Sequence, residues 1–101
     1  MKHLSGVALA AALIFLSTSA YANVIERACN ASDRDAANRS LCACIQYAAD
    51  RTLSRRDQKE GAKFFRDPHA AQEMRQSDRR SHEKFWKRWR NFGETAEAMC
   101  S

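Results

Sequence analysis

The chain has 101 residues, with 17 Lys and Arg against 12 Asp and Glu, a net charge of +5, and four cysteines. A chain this short folds as one domain and buries a limited fraction of its surface, so disulfides must supplement the core. The longest apolar run, Val7 to Leu16, falls well short of the roughly 20 residues that span a bilayer, which excludes a transporter built of membrane helices.

Residues 1–22 read as a cleavable signal peptide. Met1-Lys2-His3 gives the charged start, Val7 to Leu16 the apolar centre, and Ala20-Tyr21-Ala22 the small residues before a cut after Ala22. Removing them leaves 16 basic and 12 acidic side chains in residues 23–101, read as a single domain of net charge about +4. All four cysteines, Cys29, Cys42, Cys44 and Cys100, lie in that part. An even number in a small exported chain implies two disulfides in an oxidising compartment.

β-branched residues are few and period-two alternation is absent, whereas Ala, Arg, Glu, Gln and Lys dominate. The expected fold is all-α, a small bundle of four to five short helices. A first helix is predicted over Val24 to Cys29, with a turn at Asn30-Ala31-Ser32-Asp33. A second is predicted over Ala36 to Leu53, with Leu41, Ile45, Ala48 and Thr52 on its core face. Cys42 and Cys44 then lie about 80° to either side of that stripe and reach different neighbours. Ser54 caps a third helix that ends at Arg66, and Asp67-Pro68 starts a short fourth running to Gln76, which offers Ala71 and Met74 to the core.

The last helix is predicted from Ser77 or Asp78 to Met99. Phe85, Trp89, Phe92, Ala96 and Met99 form its apolar stripe, and Arg80, Lys84, Lys87 and Arg88 the opposite arc. It delivers Cys100 to the bundle. These placements favour Cys29 with Cys42 and Cys44 with Cys100, and exchanging the partners is the competing arrangement. Gly61 and Gly93, each costly inside a helix, are expected to mark close helix crossings.

The segments Leu41-Cys42-Ala43-Cys44-Ile45-Gln46, Lys63-Phe64-Phe65-Arg66-Asp67-Pro68-His69, Arg75-Gln76-Ser77-Asp78 and Phe92-Gly93 with Cys100 resemble a family of small exported proteins from Gram-negative bacteria. Some of that family carry the name "arginine transporter". The resemblance covers nearly all of residues 23–101. It implies export, a four-cysteine framework and a helical fold, and brings no site residues. Without membrane spans, the name implies at most a small-solute, arginine-like accessory of transport.

Trp86 falls about 100° off Phe85, beside Arg79 and Arg90. Trp86, Arg79, Arg90 and Lys87 therefore form the candidate contact patch, for a protein partner or for an anionic membrane surface reached by a basic, aromatic helix. Arginine outnumbers lysine twelve to four after residue 22, and Asp33, Asp35, Asp50, Asp57 and Glu60 are expected to pair with part of it. Nucleic acid is not expected at so modest a charge in an exported chain. Cys42, Cys44, His69, His82 and Met99 are potential metal ligands, but the disulfides and the Cys-x-Cys spacing argue against a metal site. Neither His69 nor His82, the latter expected to face Trp86, has a nucleophile at a recognisable spacing. The expectation is a non-enzymatic binding module with no catalytic residue and no cofactor.

Overall fold

The structure, a computed structural model, describes residues 22–32 and 38–101. The expected export segment, its cut site, and Asp33 and Asp35 with their expected ion pairs lie largely or wholly outside these residues. Five helices follow in order: α1 Val24–Asn30, α2 Arg39–Thr52, α3 Arg55–Arg66, α4 Pro68–Arg75 and α5 Arg80–Cys100. Among the described residues there is no strand. The fold is an all-α bundle stapled by Cys29–Cys42 and Cys44–Cys100, so the exchanged pairing is discarded.

Local chemistry sets most helix ends. Asn38 accepts from the Leu41 amide at 2.8 Å and starts α2. Ser54 Oγ accepts from the Asp57 amide at 3.1 Å, and Asp67 accepts from His69 at 3.1 Å ahead of Pro68. The start of α5 is later than its sequence suggests. Ser77 Oγ accepts from the Arg79 amide at 3.2 Å and pairs with His82 Nδ1 at 2.7 Å, which holds residues 77–79 in a turn and leaves Arg79 as an extended cap. His82 is thus committed to Ser77 rather than to Trp86.

α1 packs on α2 and α3, α2 on α5, and α4 bridges α3 and α5. The core joins Ile25, Ala28, Ala48, Ala49, Leu53, Ala62 and Phe92, with Val24, Ile45, Phe65, Trp89 and Ala96 packed around it. α1, of 7 residues, is too short to hold itself. Its Asn23 cap makes no side-chain bond, and Gln46 of α2 takes over by accepting from the Glu26 amide at 2.8 Å. Gln46 Nε2 in turn donates to Gln58 Oε1 and to Asp50, each at 2.8 Å. This buried cluster ties α1, α2 and α3 together with its polar atoms satisfied.

Three core expectations fail. Ala71 and Met74 are only half-buried, because α4 lies across the edge of α3 and α5 and buries no residue fully. Met99 is 41% exposed, because Cys100 must face Cys44 and so turns its neighbour outward. Gly93 marks no crossing: a Cβ there would find nothing within 4 Å. Gly61 does, since a Cβ would overlap the Trp89 ring.

The two glycines should therefore respond oppositely in thermal denaturation. Gly61→Ala should destabilise by about 2 kcal/mol or more by displacing Trp89. Gly93→Ala, measured on dilute protein, should stabilise by about 0.5 to 1 kcal/mol. Replacing Cys44 and Cys100 together by serine should remove about 4 kcal/mol, because that bridge closes the longer loop, of separation 56.

Candidate functional site

α5 is amphipathic over 21 residues. Its inner face is an aromatic file. Trp89 lies edge-on to Phe64 at 5.2 Å between ring centres and against Phe92 at 4.8 Å, and Phe85 meets Phe64 at 6.0 Å. Fixing these rings against α3 fixes which residues of α5 face outward.

Arg88, expected on the outer arc, is exposed there but is engaged by a carboxylate of α3. Its Nε donates to Asp57 Oδ2 at 2.6 Å and its Nη2 to Oδ1 at 3.1 Å, a side-on bidentate pair across α3 and α5. The hydrogen bond to Asp57 raises the Arg88 guanidinium above its ordinary value, burial opposes it in part, and the charge of Asp57 adds a lesser push upward. The arginine therefore stays charged at any pH the protein meets. Phe85 lies 6.0 Å under the same guanidinium. Of the other expected acidic partners, Glu60 pairs with Lys63 at 3.2 Å, and Asp50 joins the glutamine cluster.

The four residues of the candidate patch are placed as follows. Arg79, Lys87 and Arg90 are exposed, and Trp86 is half-buried. Lys87 and Arg90 line one shallow depression with Asn91 and Glu94, while Arg79 stands about 10 Å before Trp86 along the axis. Trp86 is tilted against Phe64, ring centres 6.4 Å apart, so the indole has an inner edge in the bundle and an outer edge in solvent. Arg80 and Lys84, also exposed, extend the basic face toward the start of α5. Among the described residues none of Arg79, Arg80, Lys84, Lys87 and Arg90 forms an ion pair.

Two further features escape a reading of the sequence. One is an open, almost wholly apolar groove of about 420 Å³ between α2 and α5, floored by Leu41, Ile45, Gly93, Ala96 and the Cys44–Cys100 end. Its only signal in the sequence is a glycine inside a helix. The other is a charged recess in which two acids, Asp57 and Glu60, face two arginines, Arg56 and Arg88, beside His82. His69 meets Glu73 at 3.6 Å on the surface. Among the described residues no three His, Cys, Asp or Glu side chains gather as a metal-holding group, and no helix is long and apolar enough to cross a membrane.

No family model, curated protein or solved structure matches this chain.

The two tryptophans should separate cleanly in denaturation experiments. Trp89→Ala should cost about 3 to 5 kcal/mol, as expected of a core aromatic, and Trp86→Ala about 1 kcal/mol. Arg88→Met should cost about 1 to 2 kcal/mol, because it leaves the Asp57 carboxylate unpaired at the helix interface.

Proposed function

We propose that the chain is an exported, non-enzymatic binding module of the periplasm that takes a protein partner on the outer face of α5. The observation that carries this reading is the run of exposed cations, Arg79, Arg80, Lys84, Lys87 and Arg90, without an internal carboxylate among the described residues. Charges left unpaired on a rigid helix steer an acidic partner and fix its register.

Trp86 supports the same reading. An indole with one edge anchored and the other wet offers contact area at little entropic cost, which is why tryptophan is enriched at protein contacts. The two disulfides support an oxidising compartment.

Chemical cross-linking of the protein in its native envelope, followed by mass spectrometry, should return a recurrent acidic protein joined through Lys84 or Lys87. Recovery should fall about tenfold in the Lys84→Glu/Lys87→Glu variant, and Trp86→Ala should weaken it while lowering the melting temperature by only the several degrees that a cost of about 1 kcal/mol implies. Salt-reversible sedimentation with anionic phospholipid vesicles, with no recurrent protein captured, would replace this reading by attachment to a membrane surface.

A further inference from the structure

We propose that a second copy of this chain packs antiparallel on the flank of α5 that carries Trp86, Arg90, Gly93, Glu97 and Cys100, about a two-fold axis beside Gly93. The inference rests on the reading of α5 as a protein-contact face and names the partner for one side of it.

At 100° per residue these five positions fall within one strip about 80° wide, at i, i+4, i+7, i+11 and i+14. The strip is complementary to its own reverse. Trp86 and Cys100 stand seven residues to either side of Gly93, about 10 Å each way, and Arg90 and Glu97 stand three before and four after it. An antiparallel copy centred on Gly93 therefore sets Trp86 over the groove at the second copy's Cys100, and Arg90 against its Glu97. Two-fold symmetry makes each contact twice.

Three independent features of the monomer are accounted for in this way. Gly93 is exposed, sits inside a helix, and has no atom within 4 Å of where a Cβ would be, so nothing within the chain explains its cost of about 1 kcal/mol. A second helix crossing at about 8 Å does explain it, because that spacing needs a position without a side chain. The apolar groove beside it is open and unfilled, and the outer edge of an indole is an apolar surface of the kind that such grooves accept. Arg90 and Glu97 make no ion pair within the chain among the described residues, and they are of opposite sign. The charges on this flank change from basic, Lys87 and Arg90, to acidic, Glu94 and Glu97, along the helix. That order repels a parallel copy and attracts an antiparallel one.

The strip is about 21 Å long, so the contact is smaller than the roughly 1,200 Å² of stable interfaces and the dimer is weak and reversible. The test is analytical ultracentrifugation of the protein purified from the envelope, from about 1 to about 500 micromolar, a span that covers so small an interface. A monomer–dimer equilibrium is expected. Arg90→Glu should raise the dissociation constant about tenfold or more, since it faces Glu97 twice with like charge, and Glu97→Arg should do the same.

The exchange variant Arg90→Glu/Glu97→Arg should return the constant to within about threefold of the original, because the pair is restored in reverse. Gly93→Leu should abolish the dimer without lowering the melting temperature. A monomer at every concentration, a dimer indifferent to Gly93→Leu, or an exchange variant that fails to recover would overturn the proposal. Its failure is separable from that of the wider reading. A strictly monomeric protein that still cross-links an acidic partner through Lys84 and Lys87 removes the dimer alone, and a dimer that captures nothing removes the external partner alone.

Discussion

The Trp89 ring sits where Gly61 leaves out a side chain, and the placement of α5 follows from that contact. α3 and α5 approach closely only because one of them is bare at the crossing. The indole then gathers Phe64, Phe85 and Phe92 around itself. Asp57 and Arg88 fasten the same two helices about one turn away, and Cys44–Cys100 pins the far end of α5 to α2. A helix held by a ring, an ion pair and a covalent bridge along one side has little freedom to rotate. Its outer residues are therefore presented in a fixed register.

How legible this was in the sequence depends on the range of each interaction. The Ser54 cap, the Asp67-Pro68 restart and the absence of strands are decided within a few residues, and composition and spacing express them directly. That Cys42 and Cys44 take different partners was legible, because a helical wheel points them in different directions; which of them reaches α1 and which α5 was not, since it depends on how the helices pack. The start of α5 was not, because the Ser77 hydroxyl had two competing uses and the bond to His82 five residues on decided between them. Periodicity also placed Met99 in the core. It could not register that the covalent demand on Cys100 outranks one apolar contact.

The glutamine cluster shows a different limit. Nothing in the spacing of the sequence marks Gln46 and Gln58. In the fold they are buried and meet across twelve residues of chain, where Gln46 also caps the uncapped α1. A donor and an acceptor on one side chain make this possible, since an amide can accept from α1 while donating to α2 and α3. The site divides in the same way. Lys87 and Arg90 were expected at the surface and are there without an ion pair among the described residues, whereas Arg88, equally exposed and of the same charge, is paired with a carboxylate on another helix. Position on the wheel alone does not distinguish them.

The basic character of the chain acquires a more definite meaning from this division. Arg88 serves a fixed bidentate pair between two helices, a use for which lysine is poorly shaped. The cations left outside cannot be credited to stability, because exposed charges contribute little to it and like charges along one helix face repel. They persist on a helix that is rigidly held and that carries an unexplained glycine and a half-exposed indole on the same flank. Rigidity lowers the entropic cost of association, since the contacting groups are ordered before a partner arrives. The packing that makes so small a domain stable is thus also what makes the outer face of α5 suited to binding.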